Sequence, residues 1–161
     1  MTFKYIGFVF IAVCSFFFGN GLAVGEKKRI DRGEGMYRLL SHICREIENF
    51  RTPLDLIYSG FTDKTLEEIG LLEKIRKRSL EQALSESGNI FCYGEATYKA
   101  LLSFAANLGK SDPADQVSRC RYIISLVSED VKKAWDIYPK NKKMYSSLSL
   151  LAGAMIIILL V

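Results

Sequence analysis

The stretch MYRLLSHICREIENF, residues 36–50, places Met36, Leu39, Leu40, Ile43, Ile47 and Phe50 at steps of three and four. That spacing is one apolar stripe of an α-helix. Arg38, Arg45, Glu46 and Glu48 fall mainly off the stripe, as expected of a helix with one face in a core. Downstream, RTPLDLIYSGF predicts a short second helix burying Leu54, Ile57, Tyr58 and Phe61, with Thr52 as N-cap and Pro53 at the first helical position, where its missing N–H costs nothing. A third helix is expected to start after Thr65 and to run unbroken to Ser87, with Glu67 and Glu68 near its positive end. Gly88 and Asn89 stop it. A fourth, GEATYKALLSFAANLG, ends at Gly109 in the left-handed position beyond a helix. A fifth opens at SDPADQ, with Asp112 as cap and Pro113 first, and carries Val117, Cys120, Ile124, Val127, Val131 and Ala134 on one face. Pro139 is expected to break or kink the chain after it. No alternating apolar–polar run competes, so the chain reads as all-α, an antiparallel bundle of four or five soluble helices joined by short loops.

The chain ends differ from this middle. Mean hydropathy is +0.11 although 25% of the 161 residues are charged, which requires the apolar residues to be concentrated. Residues 5–24 carry no charge, and neither do residues 144–161. About 20 apolar residues span a bilayer, with about 17 as the lower limit. The expected organisation is a transmembrane helix over 1–24, a helical domain over 25–143 and a second transmembrane helix over 144–161. A cleaved secretory signal is the rival for the first run, but the run is longer than the roughly 7–15 residues of a signal core.

Basic residues near a span stay on the cytoplasmic side. Lys27, Lys28, Arg29 and Arg32 follow the first run, and Lys140, Lys142 and Lys143 precede the second. Trp135, Tyr138 and Tyr145 gather at the same boundary, as aromatic residues do at membrane interfaces. The domain is therefore expected in the cytoplasm, with Lys27, Lys28, Arg29, Trp135, Tyr138, Lys140, Lys142, Lys143 and Tyr145 at the membrane face. The net charge of +4 is accounted for by anionic headgroups, without nucleic acid. Cys44, Cys92 and Cys120 stand singly among apolar neighbours, with no CxxC spacing, which suits free thiols in a reducing compartment.

No motif carries chemistry. LGKSD ends like a phosphate-binding loop, but Phe104 stands where that loop needs its first glycine, and a helix leads in. Glu46 and Glu48 are two apart on a helix, so their carboxylates diverge. His42 is the one histidine and no GxSxG turn accompanies it. The expectation is a protein that is not an enzyme and needs no cofactor or metal.

Taken in order, these segments resemble the stage III sporulation protein AB family of endospore-forming bacteria. The likeness rests on IGFVFIAVCSFFFG near the start, on MYRLLSHICREIENFRTPL with Glu46, Ile47, Thr52, Pro53 and Leu54, on LGKSDPADQ through Leu108, Gly109, Ser111, Asp112 and Gln116, and on KNKKMYSSLSLLAGAM with Met144, Tyr145 and Gly153. Residues 62–93 carry little of the pattern beyond SLEQAL. The resemblance implies a bundle similar to the cytoplasmic domains of the type II secretion inner-membrane platform protein. It also implies a place in the channel complex joining mother cell and forespore, coupling a cytoplasmic secretion-type ATPase to the membrane assembly. Partner contacts are then expected at Arg38, Arg45, Glu46, Gly109, Ser111, Asp112 and Gln116, together with pairing of the two terminal helices within or between copies. The alternative reading is an extracytoplasmic helical sensor or ligand-binding domain, which needs the basic flanks outside.

Overall fold

The structure, a computed structural model, describes residues 2–50 and 52–160, with side chains from residue 20 onward except Ile157, Leu159 and Leu160. Every regular element among the described residues is helical. The order is α1 Thr2–Phe50, α2 Leu54–Gly60, α3 Lys64–Glu68, α4 Leu71–Lys77, α5 Leu80–Ser87, α6 Glu95–Asn107 and α7 Pro113–Leu160. The fold is an all-α bundle. Two compact units divide it: Arg29–Ala134, and Met1–Lys28 with Trp135–Val161.

In the unit Arg29–Ala134, the stripe of α1 forms the centre. Met36, Leu39, Leu40 and Ile43 are wholly buried and Ile47 nearly so. Buried with them in the same unit are Cys120, Ile123, Val127 and Val131 of α7, Leu71, Leu72 and Ile75 of α4, Leu80 and Leu84 of α5, and Leu101 and Phe104 of α6. α1 and α7 run antiparallel here: Gly33 lies against Val131, and the Cys120 thiol donates to the Leu40 carbonyl at 3.5 Å. Phe50 is the exception on the stripe. It is 69% exposed, because α1 ends there and nothing described covers it.

Several expectations about boundaries are corrected. The first apolar run and the helix of residues 36–50 are one element, since the intervening EKKRIDR consists mostly of good helix formers and offers no break. Pro53, not Thr52, caps α2; its carbonyl accepts from the Leu56 and Ile57 N–H groups. The third helix is three. Asp63 caps α3 by accepting from the Leu66 N–H at 3.1 Å. Gly70, with φ of +68°, then turns the chain into α4, and Ser79 caps α5 through the Gln82 N–H at 3.2 Å. Pro139 lies inside α7 without ending it. The expected ends hold at Gly88 and Gly109, both at positive φ, and the Asp112–Pro113 start holds at α7.

In the unit Met1–Lys28 with Trp135–Val161, the two helices pair within the chain. Ala23 and Gly153 are buried, and Asn141 Nδ2 donates to Glu26 Oε1 at 2.7 Å. The second Glu26 oxygen is buried with no hydrogen-bond partner among the described residues. Large apolar side chains point outward instead: Leu22, Val24, Leu148, Leu151, Met155 and Ile158 are 47–76% exposed. Among the described residues no helix is long and apolar enough to cross a membrane. The first expected span falls largely on residues 1–19, whose side chains lie outside the described residues, as do those of Ile157 and residues 159–161 at the end of the second.

Candidate functional site

The basic flanks are brought together. The Glu26–Asn141 hydrogen bond sets Lys27 and Lys28 beside the segment carrying Lys140, Lys142 and Lys143, and all five lysines are exposed. Trp135 and Tyr138 meet edge to face at 5.8 Å, both half-buried, and Tyr145 is half-buried as well. Five ammonium groups in one collar, next to outward apolar side chains, form a surface suited to anionic headgroups; each lysine near such a surface contributes about 1 kcal/mol. Arg29, expected with them, is engaged otherwise. Its Nε and Nη2 donate to the Phe91 carbonyl at 3.0 and 2.7 Å, which clamps a loop of the bundle.

The expected partner residues on α1 also make contacts within the chain, while Arg38 and Arg45 stay exposed and Glu46 is half-buried. Arg38 pairs with Asp63 through Nε at 2.8 Å and Nη2 at 2.7 Å, and approaches Glu34 at 3.7 Å. Asp63 is 7% exposed, so this pair ties α1 to the cap of α3. Arg45 lies 3.1 Å from His42 Nδ1. A guanidinium only donates, so His42 Nδ1 is the acceptor in this contact. The His42 ring rests on Phe61 at 5.3 Å. Glu46 accepts from the Thr52 hydroxyl at 3.2 Å and its carbonyl takes the Thr52 N–H, closing the corner into α2.

Gly109, Ser111, Asp112 and Gln116 do come together, as one closed turn. Gln116 is 9% exposed. Its Oε1 accepts from the Gly109 N–H at 3.2 Å, and its Nε2 donates to the Ser111 carbonyl at 2.5 Å. Asp112 Oδ2 accepts from the Ala114 N–H, and the Asp112 carbonyl from the Gln116 N–H. Gly109 has φ of +83°, and a Cβ there would lie 3.0 Å from Leu54 Cδ1, so the turn sits directly on α2. The spacing from Gly109 to Gln116 is thus that of a side-chain amide bridging a helix–helix turn. Ser111 is half-buried, and Asp112 with the neighbouring Lys110 is exposed at its rim.

The residues that sequence reasoning missed lie in the loop 88–94. Phe91 is fully buried and stacks on Tyr93 at 5.3 Å. The Tyr93 hydroxyl donates to the Gly33 carbonyl at 2.7 Å, and Asp130 accepts from the Gly94 N–H at 3.0 Å. This loop joins α1, α6 and α7 in one network. Burial raises the Tyr93 phenol far above its usual range and pushes the Cys92 thiol up to about 11. The available signal was the apolar run IFCY between two glycines, which has no period to read. Among the described residues no group of three or more His, Cys, Asp or Glu could hold a metal ion.

No curated protein matches the chain, and no solved structure does. The family model described as stage III sporulation protein AB matches residues 4–161, nearly every residue from which the bundle, the collar and the turn are built. The chain therefore belongs to the stage III sporulation protein AB family, and its role lies in sporulation.

Proposed function

We propose that the chain is a non-enzymatic, membrane-anchored scaffold of the channel complex between mother cell and forespore. In this reading both chain ends sit in the mother-cell membrane, and the unit Arg29–Ala134 faces the cytoplasm, where it couples a secretion-type ATPase to the membrane assembly. The observation that carries the anchoring is the terminal unit itself. Its apolar side chains face outward while five lysines ring the point where the apolar runs begin. An exposed apolar surface beside a basic collar is stable against lipid and costly in water, at about 25 cal/mol per Å² of apolar area. The family membership supports the sporulation setting. Exposed Arg38 and Arg45 on α1 and the exposed rim of the Gly109–Gln116 turn are the parts of the expected surface open to partners.

A deletion strain of the source organism, starved and imaged with a membrane dye and a forespore reporter, tests the reading. Arrest after engulfment with failed late forespore expression is expected. Complementation by a chain in which Lys27, Lys28, Lys140, Lys142 and Lys143 are changed to Gln should fail, with the chain lost from the membrane fraction. Normal heat-resistant spores from the deletion would overturn the assignment. Full membrane retention of the five-fold variant would overturn the role of the collar.

A further inference from the structure

Four lysines of the bundle, Lys74, Lys77, Lys99 and Lys133, each pair with a glutamate at 2.6–4.0 Å. Among the described residues no carboxylate pairs with any of the five lysines of the collar. One hydrogen bond decides how those five are arranged. Glu26 lies near the end of the stretch Met1–Lys28 and Asn141 near the start of Trp135–Val161, so the bond between them within one compact unit requires the two helices to run antiparallel. Each residue turns an α-helix by about 100°. In antiparallel neighbours, one step onward from each bonded residue turns to the same side. Lys27 follows Glu26 and Lys142 follows Asn141, so both stand on one side of that bond. Lys28 and Lys143, a step further, turn to the outer surface of each helix, and Lys140 turns to the opposite side.

Tyr138, Lys142 and Tyr145, at steps of four and three, share one face of α7. That face looks toward α1: both tyrosines and Ser149 are half-buried, and Gly153 is buried. Ala23, one turn before Lys27 on α1, is buried as well. Two ammonium groups are thus brought to one seam without a counter-charge, which Coulomb repulsion opposes. An anion between them reverses the sign of that interaction.

We infer, on the reading that the terminal unit lies in lipid, that Lys27 and Lys142 form a headgroup site for one anionic glycerophospholipid. Its phosphate lies between the two ammonium groups, and the hydroxyls of Tyr138 and Tyr145, one turn to either side of Lys142, supply further donors. Val24, three residues before Lys27, and Leu150, eight after Lys142, are exposed on the same side and offer apolar surface to the acyl chains. The other three lysines meet the anionic surface by charge alone, whereas this pair holds one lipid by position.

The test uses the purified full-length chain in a neutral detergent, titrated with phosphatidylglycerol and read by native mass spectrometry. One phosphatidylglycerol should be retained per chain in preference to phosphatidylcholine, and glycerol 3-phosphate should not displace it. K27Q with K142Q should weaken retention by about fivefold per lysine, roughly thirtyfold together, and K27R with K142R should keep it. K28Q with K143Q removes the same charge from the outer surfaces and should weaken retention less than about threefold. Without lipid, the K27Q, K142Q chain should melt above the wild type, because the repulsion is gone, and phosphatidylglycerol should raise the wild type alone. Equal losses from the two double variants, equal retention of the two lipids, or displacement by glycerol 3-phosphate would each overturn the inference. Flotation with phosphatidylcholine vesicles separates the site from the anchoring. A wild-type chain that floats but shows no headgroup preference keeps the anchor and loses the site, and one that floats with no vesicle loses both.

Discussion

Replacing Gly33 with alanine should destabilise the protein, although alanine is the better helix former. Gly33 is interior to α1, and removing a glycine from such a position contributes about 1 kcal/mol of stability when the new methyl group has room. It has none. A Cβ would stand 2.7 Å from Cys92 Sγ, 3.2 Å from Val131 Cγ2 and 3.3 Å from Tyr93 Cε1. Val131 is β-branched and stiff, and the Tyr93 ring is fixed by its bond to the Gly33 carbonyl and by stacking on Phe91. Overpacking of this kind costs about 1–3 kcal/mol, so the net loss is about 1 kcal/mol. Gly25 lies in the same helix with nothing within 4 Å of its added Cβ, so Gly25→Ala should gain what Gly33→Ala cannot. For a chain of this size about 1 kcal/mol moves the melting temperature by about 3 °C, so the two variants should melt about 6 °C apart. Thermal unfolding of the detergent-solubilised chain, followed by far-ultraviolet circular dichroism, reads this directly. Cys92→Ala removes the nearest atom, so the double variant should be about 1 kcal/mol more stable than the single effects add up to. The reasoning fails if Gly33→Ala melts with Gly25→Ala, or if Cys92→Ala gives no relief.

Asp63→Asn keeps an oxygen for the Leu66 N–H but gives up the charge facing Arg38, and should cost about 1 kcal/mol. Asp63→Ala loses the cap too and should cost about 1 kcal/mol more in chemical denaturation. At the turn, Gln116→Ala strands the Gly109 N–H and the Ser111 carbonyl and should cost about 2 kcal/mol. Gly109→Ala and Gly70→Ala both force a left-handed residue, at about 1–2 kcal/mol, but only the former meets Leu54, so it should be the worse in the same denaturation series. The Cys92 thiol is raised from 9.0 to about 11, so the folded chain holds this proton where the unfolded chain has lost it. Its contribution is whole below about pH 9 and gone above about pH 11, and a melting series across that window should fall, with a smaller fall in Cys92→Ala. Tyr93 and Tyr58, raised in the same direction by burial, prolong the fall on the alkaline side.

The stripe from Met36 to Ile47 was legible because a helical period of apolar residues has one reading, and the same holds for the start of α7 at Asp112–Pro113. Periodicity fails where helices are short. Leu66, Leu72, Ile75, Leu80 and Leu84 keep nearly the spacing of one helix, although Gly70 and Ser79 divide them into three. The left-handed backbone at Gly70 and the hydroxyl cap at Ser79 leave no mark on the apolar pattern. Phe50 belongs to the stripe by spacing, but burial needs a neighbour, and sequence does not say where the neighbours stop. The loop 88–94 was opaque for the opposite reason: its order comes from contacts sixty residues away, Tyr93 with Gly33 and Phe91 with Arg29. Of the candidate sites, the lysine flanks could be read from charge alone. The roles of Arg38 and Gln116 could not, because each is defined by an acceptor or donor in another element.

The hydrogen bond between Glu26 and Asn141 has a mechanical meaning. It lies between two helices whose buried described residues, Ala23 and Gly153, are small, and small residues alone permit many alignments. Sliding one helix along the other by a turn, about 5.4 Å, would part the carboxamide from a carboxyl group that already has one oxygen buried without a partner. A polar contact of this sort fixes axial alignment even where it adds little to cohesion. The pair acts as a dowel: an axial load on either helix of the terminal unit passes to the other, and the two helices move there as one strut.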